Sequence, residues 1–223
     1  MIKHILFDCD GVLVDTEFTA AQVMVEAMTK RGADIDFEHY LQNLSGSTFS
    51  AILDTYFGAS LQGEEKTAFI DKLEQKIVAK VEAIKGVESM LESIKIPMSV
   101  VSNSAIWQVK EEIEQTKIEH YFTGHIFSSE LVVNPKPAPD VYNLAVKELG
   151  LSGDEVLVIE DSLTGAKAAL AAGLKVIGFS GASHILKGHK EKLLSLGVAE
   201  VASTMEELDK VIKKYIDKSN LKL

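Results

Sequence analysis

The sequence is nearly devoid of arginine: Arg31 is the only one in 223 residues. Bidentate guanidinium recognition of phosphate is therefore almost unavailable, and any anion must be held by Lys, backbone N–H groups or a metal. Cys9 is the lone cysteine, which excludes an intrachain disulfide and points to a reducing, cytoplasmic compartment. Its place between Asp8 and Asp10 turns it to the opposite side of a strand from both, where core packing is the expected role. No apolar run approaches the roughly 18 residues that a membrane span needs. No charged-then-apolar leader precedes the first predicted strand, and no repeat or low-complexity tract is visible. Positive charge is in deficit. With 23 Lys and Arg against 33 Asp and Glu, the net charge is −10, which disfavours a nucleic-acid groove or an anionic membrane as partner.

What remains is an ordinary globular composition, 46% hydrophobic and 25% charged, in a chain long enough for one full core and a smaller accessory domain. Apolar strand-like runs recur at 2–7, 98–102, 124–128, 155–159, 175–179 and 200–202. Helical patterns fall around 86–95, 104–116, 139–149, 162–172, 185–196 and 205–217. This alternation predicts an α/β fold: a doubly wound, Rossmann-like parallel sheet with helices on both faces. Gly150 and Gly173 stand where helix C-caps belong, Ser162 and Thr204 where N-caps belong. The tail "DKSNLKL" is expected to fray.

The interval 16–83 breaks the alternation. It reads as helical throughout, with apolar residues at helical spacing in "AAQVMVEAM" and "FIDKLEQKIVAKV", punctuated by Gly46 and Gly58. The expected organisation is a core of 1–15 and 84–223 with an inserted all-helical cap, 16–83, joined to the core at both ends.

Four features stand at the expected carboxyl ends of strands, the edge where open parallel sheets bind ligands. They are Asp8 and Asp10 in "FDCDGVLVDTE", Ser102 and Asn103 in "SVVSNS", Lys136 in "NPKPAPD", and Glu160 and Asp161 in "VLVIEDS". Two like charges held near a core strand repel and lose hydration, so a bound cation is the expected compensation. A hydroxyl at a helix start is a natural phosphate anchor. Each feature also has a structural reading when taken alone. Asp10-Gly11 is a turn signal, Ser102 an N-cap, Glu160-Asp161 a cap for the next helix, and Lys136 a solvated lysine. Their placement, one per strand end, favours a shared site.

In these motifs the chain resembles the haloacid dehalogenase superfamily, in its branch of helical-cap phosphatases and β-phosphoglucomutase-like phosphosugar mutases. "DCDGVLVDTE" is similar to the first family motif, "SNS" to the second, the Lys of "NPKPAPD" to the third and "IEDSLTGAKAALAAG" to the fourth. The resemblance implies a Mg²⁺ cofactor and an aspartyl-phosphate intermediate. It assigns Asp8 as nucleophile, Asp10 as acid and base, and Ser102, Lys136 and the backbone near Gly11 and Asn103 as phosphate-binding groups. Asp8, Asp161, the Asp10 backbone carbonyl and Glu160, directly or through water, form the implied metal set. Thr16, Gly46, Ser47, Thr48 and His184 are the candidate substrate-specificity positions; Ser47 and Thr48 have helix capping as an equal alternative, and His184 a solvent-facing helix start. The expected partner is a small phosphorylated sugar, sugar acid or polyol, bound by a monomer or weak dimer. A mutase of this branch carries a cap His near Ala20 and a phosphate-gripping Arg near Phe49, and both are missing. A 2-haloacid dehalogenase needs neither the metal acids nor a second Asp, and a non-enzymatic binding protein would lack a catalytic group.

Overall fold

The first apolar run forms β1 (His4–Phe7), and every one of its residues is buried. This computed structural model describes residues 1–44, 48–122 and 125–220. The further strands are β2 (Met98–Ser102), β3 (Ile126–Ser128), β4 (Val156–Glu160), β5 (Lys175–Phe179) and β6 (Glu200–Ala202). They pair in parallel in the order β3-β2-β1-β4-β5-β6. The central strands β2, β1 and β4 are buried along their whole length, as a parallel sheet covered on both faces requires. Alternation within β1 sorts the two layers. Ile5 and Phe7 join the cluster built with α5 (Val87–Ser93), α6 (Ile106–Gln115) and α10 (Met205–Asn220). Leu6 joins the opposite cluster, with α7 (Asp140–Glu148), α8 (Leu163–Ala171) and α9 (His189–Leu196).

Between β1 and β2 the chain forms α1 (Thr16–Lys30), α2 (Phe37–Asn43), α3 (Phe49–Phe57) and α4 (Gly63–Val78). These helices bury a core of their own, with Met24 and Met28 on α1, Tyr40 on α2, Leu53 on α3 and Leu73 and Ile77 on α4. The fold is thus a doubly wound sheet with an inserted helical cap. The two connecting segments run side by side: Asp15 N donates to Glu82 O at 2.9 Å, Ile84 N to Leu13 O at 3.0 Å, and Val14 bridges Ala83 in antiparallel sense.

The predicted caps form. Ser162 Oγ accepts from Gly165 N at 2.9 Å and Thr204 Oγ1 from Glu207 N at 3.2 Å. Gly150 and Gly173 close α7 and α8 with positive φ of 64° and 77°. Other boundaries move. β1 starts at His4 rather than residue 2, and β4 runs through Glu160. Helix α9 starts at His189 rather than 185, behind the left-handed Gly188. Helix α10 runs to Asn220, with Leu208, Ile212, Tyr215 and Ile216 in a stripe packed on the core; the end of the tail expected to fray, 221–223, lies outside the described residues. Gly124, the expected start of the third strand, lies outside the described residues. Among the described residues no helix is long and apolar enough to cross a membrane.

Candidate active site

The carboxyl edges of β1, β2 and β4 converge where the strand order reverses direction, the crevice that open α/β sheets use for ligands. Asp8 N donates to Ile159 O at 2.9 Å, which keeps Asp8 in the strand ladder, but period-two alternation does not set the direction of Asp10. A tight turn does: Cys9 O accepts from the N–H groups of Val12, Leu13 and Val14 at 3.3, 2.8 and 3.2 Å. Both Asp then line one cavity of about 410 Å³ with Ser102, Asn103, Lys136, Asp161 and His184. Gly11 in that turn has φ +77°, and a Cβ there would lie 2.0 Å from Asp161 Oδ2. Only glycine fits between the first and fourth motifs.

Lys136 is 6% exposed and fully engaged. Its Nζ donates to Asp8 Oδ1 at 2.6 Å, Glu160 Oε1 at 2.7 Å and Val101 O at 2.9 Å. Its backbone is clamped by Asn103, whose Oδ1 accepts from Lys136 N at 2.9 Å and whose Nδ2 donates to Lys136 O at 3.1 Å. The Asn103 side chain therefore positions the lysine. Glu160, with no exposed surface, also accepts from the Tyr142 hydroxyl at 2.7 Å on Oε1 and from Ser162 Oγ at 3.2 Å on Oε2. A Cβ on Gly165 would stand 1.8 Å from Glu160 Oε1, so α8 approaches this carboxyl only because that residue is glycine.

Asp10 is held differently, by hydroxyls. Thr16 Oγ1 donates to its Oδ1 at 2.6 Å, and Ser104 Oγ and Ser102 Oγ donate to Oδ2 at 2.9 and 3.3 Å. Ser102 Oγ in turn accepts from Ser104 N at 2.9 Å. His184 Nε2 sits 3.4 Å from Asp161 Oδ2, and its Nδ1 is buried without a partner. The imidazole thus faces the acid cluster rather than solvent.

Oxygen ligand atoms of Asp8, Glu160 and Asp161 lie within 4.8 Å of one another, and all three residues are buried. Burial raises the Asp8 carboxyl well above the usual range, with Glu160 adding to the rise and Lys136 opposing it. Burial likewise raises Asp161 to about 6, against the hydrogen bond from His184. For Lys136 burial works against the ammonium, but Asp8 and Glu160 outweigh it and hold its pKa well above normal. Three acids against one lysine leave an excess of negative charge in an all-oxygen donor set. That environment fits a hard divalent cation such as Mg²⁺.

A second cavity of about 410 Å³ opens between core and cap, sharing Asp10 and Glu17 with the first. Thr16, Ala20, Tyr40, Thr48, Phe49, Glu74, Ser104 and Gln108 are on its wall. Thr48 also caps α3, accepting from Ala51 N at 3.2 Å. Gly46 and Ser47 lie outside the described residues. Sequence reasoning missed Ser104, Tyr142 and Gly165. Ser104 is the last letter of "SNS" and Gly165 lies within the fourth motif, so both were within reach; nothing local marks Tyr142.

The chain matches the model of the haloacid dehalogenase-like hydrolases over residues 5–179. It belongs to that family. Among its relatives, the 6-phosphogluconate phosphatase of Escherichia coli (strain K12) is 27% identical, over 82% of this chain and 85% of that one. The phosphorylated carbohydrates phosphatase of Thermotoga maritima is 28% identical over 96% and 100%. A haloacid dehalogenase-family hydrolase of Deinococcus radiodurans R1, solved with phosphate and sodium bound, superposes with TM-score 0.78 at 27% identity, covering 96% of each chain. This haloacid dehalogenase-like chain is accordingly an enzyme, a hydrolase of the phosphatase kind.

Proposed function

We propose that this chain is a Mg²⁺-dependent phosphatase that hydrolyses a small, cytoplasmic phosphate monoester of the sugar, sugar-acid or polyol type through a phosphorylated Asp8. The observation that carries the reading is the separation of two aspartates within one crevice. Asp8 lies in the buried cluster with Lys136 and Asp161, and Asp10 is pinned by hydroxyls beside the cavity that would hold the leaving group. Asp8 and Asp161, with the Asp10 backbone carbonyl, would hold Mg²⁺. Glu160, engaged by Lys136 and Tyr142, is better placed to brace the lysine than to bind metal directly. When bound, Mg²⁺ would offset the repulsion between a carboxylate nucleophile and a phosphate dianion.

In the first step an Asp8 carboxylate oxygen attacks phosphorus, and the bond from phosphorus to the ester oxygen breaks. Protonated Asp10 gives its proton to the departing alkoxide. In the second step water attacks the phosphorus of the acyl phosphate, Asp10 takes the water's proton, and phosphate and free Asp8 are released. Ser102 and the backbone N–H groups near Gly11 and Asn103 would hold the phosphoryl oxygens, and the Lys136 ammonium, held beside Asp8, would offset their charge. Residues 16–83 would act as the cap over this site.

Ala20 and Phe49 line the cap cavity. Neither exchanges a proton nor grips a second phosphate, which supports hydrolysis over phosphosugar transfer. The test is turnover of a panel of phosphate esters with Mg²⁺, with chelator, and with Asp8→Asn. Hydrolysis should require the metal. The nearly isosteric amide should abolish turnover while leaving fold and phosphate affinity largely intact. Hexose 1-phosphates with a bisphosphate primer should yield phosphate rather than isomer. Turnover by Asp8→Asn near the wild-type rate would remove Asp8 as nucleophile.

A further inference from the structure

The cavity between cap and core, which on the phosphatase reading receives the leaving group, has a one-sided wall. Among the described residues its ionisable lining is all acidic, Glu17 and Glu74 with the proton donor Asp10, and it includes no Lys, Arg or His. Three of the chain's cations face groups outside this wall. Lys136 is buried against Asp8 and Glu160, His184 faces Asp161, and Arg31 pairs with Glu65 and lies over the Phe69 ring. Glu74 is half-buried, and burial together with the nearby Asp71 raises its pKa. Its ionised form is already held at a cost that a second anion would increase.

The neutral part of the wall suits hydroxyl groups, which both donate and accept. Gln108 donates one Nε2 hydrogen to Glu112 Oε1 at 2.9 Å, which leaves its amide oxygen and a second N–H for a ligand. Phe49 and Ile77 add apolar surface of the kind that packs on a carbon skeleton. We propose that this compartment selects neutral, hydroxyl-bearing leaving groups and rejects those that carry a carboxylate or a second phosphate. Like charges brought together in a partly desolvated site discriminate strongly. The proposal separates this chain from its relative named for 6-phosphogluconate.

The matched pair for the test is a hexitol 6-phosphate and 6-phosphogluconate, which differ at the far carbon by CH₂OH against COO⁻. Each is assayed with Mg²⁺ as substrate and as competitor of an aryl phosphate, which needs no leaving-group contacts. The wild type should favour the hexitol ester by about tenfold or more. Glu74→Lys should shrink or invert that ratio. Its circular dichroism spectrum reports folding, and Glu74→Gln, a milder change, should shift the ratio the same way by less. Equal or better handling of 6-phosphogluconate by the wild type overturns the proposal. So does a ratio unmoved in both folded variants. Failure to hydrolyse any of the three esters overturns the phosphatase reading as well, whereas aryl phosphate turnover with no preference between the sugar esters overturns the selection alone.

Discussion

Lys136 has three ammonium hydrogens and three acceptors at 2.6 to 2.9 Å, so its removal has two separable effects. Lys136→Ala strands Asp8 and Glu160 in the interior, and breaking a buried ion pair from one side costs on the order of 3–5 kcal/mol. It should also lower kcat by roughly 10²–10³-fold, the loss typical of one preorganised electrostatic donor. Urea unfolding and steady-state kinetics on the same preparation measure both, and unchanged stability would contradict the buried network. Glu112 is a further buried acid, outside the proposed machinery. It accepts from the Cys9 thiol at 3.5 Å and from Gln108, and burial followed by the charge of Asp10 raises its pKa from 4.5 to about 8. Between those values the unfolded chain releases this proton while the folded chain keeps it, so folding stability falls as pH rises through the window. Below about 4.5 both states are protonated and the penalty vanishes; above about 8 it reaches its full size, about 3–5 kcal/mol by linkage. Glu112→Gln should therefore gain stability over wild type at pH 8 and show little difference at pH 5. Parallel stability profiles for the two proteins would refute the raised pKa. Cys9 was readable as a core residue from its position; its partner across 103 residues was not, because one sequence carries no distances.

At the scale of elements, α8 is held close to the site by one missing methyl group. Gly→Ala inside a helix ordinarily stabilises by up to about 1 kcal/mol. At position 165 the sign should reverse, because the added Cβ meets Glu160 Oε1 at 1.8 Å and its other carboxylate oxygen at 2.2 Å. Gly165→Ala should lower the denaturant midpoint and displace Lys136 through Glu160, with loss of turnover; a stabilised, active variant would show that α8 has room to shift. The helices and strands themselves were largely legible, because long apolar runs and 3.6-residue spacing are local signals. Ser162 and Thr204 were legible as caps for the same reason. The direction of Asp10 was not. It depends on the turn closed by Cys9 O and on hydroxyls from α1 and the exit of β2, three segments that meet only in the folded chain.

For the whole molecule, the proposed metal site would make a bound cation part of the folding free energy, because its acids are buried. A cation bound by the native state alone, at 100 times its dissociation constant, adds about 2.7 kcal/mol. For a chain of this length that is a rise in Tm of about 5–10 °C. Differential scanning fluorimetry with and without Mg²⁺ measures it. Asp161→Asn should abolish the shift while raising the Tm of the metal-free protein, because one buried negative charge is gone. An unchanged shift would remove Asp161 from the proposed metal set. The cap adds a consequence of a different order. Its two linkers leave the core as neighbours, Val14 beside Ala83, so the chain enters and leaves the cap at nearly the same point. An insertion with coincident ends imposes no length or shape on what lies between them. In the terms of descent, a cap of this kind can be gained, enlarged or exchanged by one event at one loop, while the sheet and the chemistry it carries pass on unchanged.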